Sequence, residues 1–286
     1  MNKNKIQEMR TKLMESHEEI STNLVLEDIR NHILKNLDIL DGFSRVETGR
    51  SILSEEIHEI FTPDKFNPYG SLNTPYINNF GMVTSTMVPL GIVFIDVNYT
   101  IPLANYLQMI KVCIETRNSV IVKPNIEFKT LETAVVLIND ILSQYKGYNK
   151  IEFASYGIYD LDIDAVVYVG NKKEFKALGG DFKKIYVGVG QWELYVDEEL
   201  DQEFIKKVKE ENVQLFYPQD EVFDLINQEG GNYCSAIMSS DTGKIKEFMA
   251  RVDSSFKLVN IDPTTIKRAN LFPEQLLKRQ NTIAYK

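Results

Sequence analysis

Few side chains in this sequence are of a type that does covalent or acid–base chemistry. There are two thiols, Cys113 and Cys234, and three imidazoles, His17, His32 and His58. A cysteine attacks a carbonyl carbon only as the thiolate, so its surroundings must lower its pKa. Cys113 falls mid-helix on an apolar face with Ile110 and Ile114, the usual setting of a small core residue. Cys234 opens the strand-like run Cys234–Met238. It reads either as a strand residue or as a reactive thiol, and nothing basic adjoins it in sequence. Two thiols cannot build a disulfide framework or a four-thiolate zinc site. All the histidines lie in the first fifth of the chain, so a mechanism that needs imidazole must recruit one from there. Glu18-Glu19 and Asp197-Glu198-Glu199 read as helix-start charge and solvated surface rather than metal ligands. No metal site is expected. Gly188-Val189-Gly190 alone is a weak glycine-rich signal, and there is neither a G-x-x-x-x-G-K-[ST] loop nor a G-x-S-x-G elbow. Tyr145, Tyr148, Tyr156 and Tyr159 cluster around a turn and read as loop packing rather than a stacking platform.

These residues sit in a chain of 286 residues with 43% apolar and 26% charged residues. That is long enough to bury a core and ordinary for a soluble globule. The net charge is −9. An acidic chain makes a poor general binder of nucleic acid or anionic membrane, because phosphate binding runs on Lys and Arg. No run of about 18 apolar residues exists, so no membrane span is expected. The N-terminus has no apolar stretch after its lysines and does not read as a secretory signal. A cytoplasmic protein with reduced thiols is expected.

Hydrophobic spacing predicts helix over much of residues 3–60, with Leu24, Leu26, Ile29, Ile33, Leu34 and Leu37 at helical intervals behind Ser21-Thr22. A short helix fits 51–61, and a Pro/Asn/Gly loop follows through Gly70. From residue 81 the texture changes. Met82–Val88 alternates like a half-exposed strand, and Gly91–Val97 is a continuous apolar run, as in a buried parallel strand. Helices at 103–115 and 130–145 separate strands at 119–122, 151–154 and 165–169. The alternation predicts a doubly wound parallel sheet. The second half repeats the pattern less regularly. Strands are expected at 185–189, 194–196, 213–216, 234–238 and 256–259, and helices at 198–210, 219–227 and 242–252. The last 25 or so residues carry no clear pattern.

Several of these segments together resemble the aldehyde dehydrogenase superfamily. Val88-Pro89-Leu90-Gly91-Ile92-Val93-Phe94-Ile95, followed by Asn98-Tyr99-Thr100-Ile101-Pro102-Leu103, is similar to its proline-leucine-glycine strand and the turn after it. Arg117-Asn118-Ser119-Val120-Ile121-Val122-Lys123-Pro124 resembles the strand that ends in Lys-Pro. Asp164–Asn171 and Tyr195–Asp201 follow in the family's order. Cys234-Ser235-Ala236-Ile237-Met238-Ser239-Ser240-Asp241 and Arg251–Asn260 resemble the glutamyl-phosphate reductase and acyl-CoA reductase branches.

The resemblance implies NAD or NADP as cofactor. It carries the lysine that hydrogen-bonds the adenosine ribose onto Lys123, with Pro124 after it. The family's glutamate three residues on is Ile126 here, with Glu127 one place late. Gly170-Asn171 precedes an expected helix from Lys172, whose N-terminal N–H groups could hold a pyrophosphate. The alternative is that Gly170 only turns the chain and that Lys172 and Lys173 are solvated.

The resemblance also implies a nucleophilic cysteine, an oxyanion-holding asparagine and, in many members, a glutamate base. Residues 202–232, where the cysteine belongs, contain none. Cys234 falls on the family's histidine, Thr100 on its asparagine and Tyr186 on its glutamate. The catalytic candidates that remain are Cys234, Thr100 and Asn98.

The expectation is therefore an α/β protein with a helical N-terminal segment (1–65), a nucleotide-binding-like α/β domain (66–200), a truncated catalytic-like α/β domain (201–262) and a C-terminal tail (263–286). Its expected role is a non-catalytic NAD(P)-binding, regulatory or scaffolding subunit, as a homo-oligomer or beside a catalytic partner. The alternatives are an active minimal NAD(P)-dependent reductase of an acyl phosphate, acyl thioester or aldehyde, and a purely structural protein with an empty nucleotide cleft.

Overall fold

A computed structural model describes residues 3–15, 21–49, 51–62, 76–78, 81–98, 101–126, 128–154, 161–170, 172–187, 192–197, 206, 213–229, 234–254, 256–261 and 271–284. The chain divides into two compact units. One comprises Met1–Val167, Gly179–Ile185 and Leu271–Lys286, and the other Tyr168–Leu178 and Tyr186–Asn270.

The first unit begins with four helices, α1 (Lys3–Glu15), α2 (Thr22–Lys35), α3 (Leu37–Thr48) and α4 (Ser54–Ile60). Helix α2 buries Val25, Leu26, Ile29 and Ile33. Leu24, counted among the apolar positions by spacing, is instead half exposed, and Val25 takes its place in the core. Helix α3 stops at Gly49, which is left-handed at φ 71° and donates its N–H to the Arg45 carbonyl.

The sheet follows from continuous apolar runs. Strand β3 (Ile92–Val97) is buried at every position, as a strand covered on both faces must be. It pairs in parallel with β4 (Ser119–Lys123), which pairs in parallel with β5 (Glu152–Phe153). Helices α5 (Leu103–Glu115) and α6 (Lys129–Leu142) make the crossovers. With β6 (Ala165–Val169) and β7 (Lys183–Val187) the strand order is β5-β4-β3-β6-β7. The chain thus starts in the middle, winds outward one way, and resumes on the other side. This is the expected doubly wound α/β pattern.

A separate antiparallel sheet joins β1 (Tyr76–Asn78), β2 (Gly81–Pro89) and β12 (Leu277–Ala284) in the order β1-β2-β12. Its long pairing runs from Leu277 opposite Pro89 to Ala284 opposite Met82. The patternless C-terminal segment is therefore a strand. Its partner is about two-thirds of the chain away, and the pairing is a backbone ladder.

The second unit is built on a parallel sheet of β8 (Trp192–Val196), β9 (Gln214–Phe216), β10 (Cys234–Met238) and β11 (Phe256–Val259), in the order β11-β10-β8-β9. Helices α7 (Lys172–Ala177), α8 (Val222–Glu229) and α9 (Thr242–Arg251) also belong to it. Alternate residues of the strands face opposite ways. Tyr195, Phe216 and Ile237 pack with Phe223 and Ile226 of α8 and Phe248 of α9. Leu194, Val196 and Ala236 join Val213 in a second cluster. The helix expected over 198–210 lies outside the described residues, apart from Lys206, which is helical.

Candidate functional site

Three places hold the residues singled out in the sequence. The first is the carboxyl edge of the first unit's parallel sheet. The register sets Asp96 of β3 opposite Lys123 of β4. Asp96 is a lone carboxylate in an apolar strand and is only 6% exposed. A buried carboxylate needs a cation or several donors to offset its lost hydration. Lys123 supplies this, donating from Nζ to Asp96 Oδ1 at 2.8 Å and to Asn98 Oδ1 at 3.4 Å. An ammonium group has three protons. Two are used here, and the side chain is partly exposed. Lys123, Pro124 and Asn98 all stand at the carboxyl ends of β4 and β3, the end at which open parallel sheets bind ligands. Ile126 is exposed where the family carries a glutamate. Glu127 and Thr100 lie outside the described residues.

Neighbouring polar groups fasten this sheet together. Gly91 enters β3 at φ 132°, and a Cβ built on it would lie 2.2 Å from Asp164 Oδ2. That oxygen accepts the Ile92 N–H at 2.8 Å and an Arg10 guanidinium proton at 3.0 Å. Asn118 accepts the Gly91 N–H at 2.8 Å and donates to the Leu276 carbonyl at 3.0 Å. The Pro-Leu-Gly and Arg-Asn segments of the resemblance are thus spent on tying β3, β4 and the C-terminal segment together.

The second place is Gly170, in the other unit. A Cβ there would lie 2.6 Å from the Tyr168 hydroxyl. That hydroxyl donates to Glu174, in the first turn of α7, and the Tyr186 hydroxyl donates to the Gly170 carbonyl at 3.1 Å. The Phe175 ring packs 6.1 Å from Tyr168 and 5.1 Å from Tyr186. The need for glycine is therefore met by an internal tyrosine. Helix α7 has 6 residues and an acid in its first turn, which opposes an anion there. Asn171 lies outside the described residues.

The third place is Cys234. It lies in β10 between Trp192 of β8 and Phe256 of β11 and is fully buried. Burial, helped by the nearby Glu193 carboxylate, pushes its thiol up to about 12. Glu193 accepts from the Ser235 hydroxyl at 2.6 Å. Cys113 is buried in α5, and burial likewise raises its thiol well above the ordinary range. A thiol shifted this way is almost entirely protonated at neutral pH.

The carboxyl edge of the second sheet is closed by its own side chains. Asp197 accepts from Lys244 Nζ at 2.5 Å, the Ser239 hydroxyl at 2.9 Å and the Tyr195 hydroxyl at 3.3 Å. The Lys244 hydrogen bond holds this carboxyl below the usual range. Asn260 accepts the Ser239 N–H at 3.0 Å. Glu198 and Glu199 lie outside the described residues. Among the described residues no group of three or more His, Cys, Asp or Glu side chains could hold a metal ion, and no helix is long and apolar enough to cross a membrane.

Sequence reasoning carried Lys123 but missed Asp96, its partner. The signal was a single carboxylate inside Gly91–Val97, where every neighbour is apolar.

No protein-family model matches the chain, and no curated protein is similar to it. Solved structures do match. The gamma-glutamyl phosphate reductase of Thermotoga maritima matches with a TM-score of 0.66 at 11% identity, over 99% of this chain and 98% of that one. The acetylating aldehyde dehydrogenase of Geobacillus thermoglucosidasius gives 0.64 at 14%, over 98% and 97%. A glyceraldehyde-3-phosphate dehydrogenase of Methanocaldococcus jannaschii, in complex with NADP, gives 0.69 at 12%, over 100% and 95%. The chain shares the fold of these reductases and dehydrogenases.

Proposed function

We propose that this chain is a non-catalytic relative of the reductases whose fold it has, one that binds NAD or NADP and acts as a regulatory or scaffolding subunit. It does so as a homo-oligomer or beside a catalytic partner. The observation that carries this reading is the state of its thiols. Both are buried and have raised pKa values, and the family's chemistry begins with a thiolate. Cofactor binding rests on Lys123, an ammonium with a spare proton at the ligand-binding end of a parallel sheet. In this reading the spare proton goes to an adenosine ribose hydroxyl, Asp96 and Asn98 hold the ammonium in place, and Pro124 fixes the chain beyond it. A bound cofactor would supply hydride chemistry, which this chain does not initiate.

The test is titration with NADH and NADPH, followed by cofactor fluorescence and by melting temperature. Saturable binding in the micromolar range is expected, weakened at least tenfold in Lys123→Met. No change at millimolar cofactor would overturn the cofactor reading and leave a scaffold.

A further inference from the structure

The turn between α6 and β5 lies at the opposite edge of the sheet from Lys123. It leads directly into β5, and β5 runs parallel to β4. Asn149 pins it there, donating to the hydroxyl of Ser119, the first residue of β4, at 2.7 Å. Four strand rises separate Ser119 from Lys123, about 13 Å.

This turn and Lys12 of helix α1 border a partly open cavity of about 370 Å³, lined by Lys12, Lys146, Lys150, Leu142, Tyr145 and Tyr148 among others. That volume is within the range of small-ligand sites. All three lysines are exposed, and no carboxylate pairs with any of them among the described residues. In a chain of net charge −9 they put three positive charges on one cavity. The tyrosine hydroxyls are already engaged, Tyr145 donating to Asp28 and Tyr148 to Thr22. Their rings therefore act as rigid walls, and charge recognition falls to the lysines. Asp28 is an acid beside this lining, and its Oδ2 is already taken by the Tyr145 hydroxyl; three lysines along one cavity favour a compact anion of several charges over a monocarboxylate.

We propose that this cavity is a second ligand site, separate from the Lys123 edge, for a small molecule carrying a diphosphate. It does not depend on the cofactor reading.

The test is calorimetric titration of the full chain with inorganic pyrophosphate and with ADP at low ionic strength, repeated at saturating NADPH. One saturable site is expected. It should persist with NADPH present, weaken at least tenfold in Lys12→Ala/Lys146→Ala/Lys150→Ala, and weaken with added salt, as screening requires. These lysines are exposed and have no ion pair among the described residues, so the triple variant should melt as the parent does. Equal affinity for the two probes assigns recognition to the diphosphate alone, and tighter ADP binding adds the nucleoside. Absence of saturable binding, displacement by NADPH, or unchanged affinity in the triple variant would each overturn the proposal.

Discussion

Thiol reactivity gives the sharpest handle on the proposal that this chain does no thiolate chemistry. Cys234 sits in the middle of a parallel sheet with no exposed surface, and its pKa is pushed up to about 12, first by burial and then by Glu193. An ordinary thiol with a pKa near 8.5 is roughly 3% thiolate at pH 7, whereas one near 12 is about 0.001% thiolate, some three thousand times less. Alkylation also requires the sheet to open, because a reagent cannot reach a fully buried sulfur. Native-state labelling at pH 7 should therefore run at least 10³-fold slower than labelling of the unfolded chain. Added urea should accelerate both cysteines together. Intact-mass measurement with iodoacetamide, followed by peptide mapping, reads the rate at each site. If Cys234 in the folded protein reacted as fast as a free thiol, the argument from burial would be wrong. Glu193→Gln removes only the lesser contribution, so its native protection should remain large.

Other perturbations probe the frame. Gly91→Ala places a Cβ on Asp164 at φ 132° and strips the buried Ile92 N–H of its acceptor; backbone strain and the lost hydrogen bond should together cost about 2–5 kcal/mol in urea unfolding. Glu47 caps α6 from another helix, accepting the Lys129 and Thr130 N–H groups at 2.7 and 3.0 Å, so Glu47→Ala should lower stability by about 1–2 kcal/mol. Asp197 has a folded pKa below its unfolded value, chiefly through the Lys244 hydrogen bond. Its contribution is therefore complete above the unfolded pKa near 4 and lost as pH falls through the lower folded value. Asp197→Asn should flatten that acid limb of a melting-temperature profile while leaving its neutral-to-basic side unsloped.

Much of the architecture was legible because it is written in local pattern. The run Ala165–Val169 has the bounds that its apolar residues predict, since burial on both faces leaves no polar position to blur them, and the helix Leu103–Glu115 follows its apolar spacing. Strand β12 was not legible. Its residues LKRQNTIA lack an alternating apolar face, and its register comes from a partner strand near residue 85. Local propensity holds no record of such a pairing. The site divides the same way. Lys123 stood out through the resemblance, as the lysine of a Lys-Pro pair at a strand's end. That it holds Asp96 emerges only from the register of two strands. Gly170 read either as a phosphate turn or as a turn alone; a Cβ there would meet Tyr168, a contact that spacing does not reveal.

The most direct measurement of the central claim follows NADPH binding and NADPH consumption in one sample, with acyl phosphates, acyl thioesters and aldehydes offered in turn. The account predicts saturable binding with no loss of NADPH absorbance beyond the protein-free rate. Turnover that disappears in Cys234→Ser would contradict it, because it would make a thiol buried in a central strand the nucleophile of a working reductase.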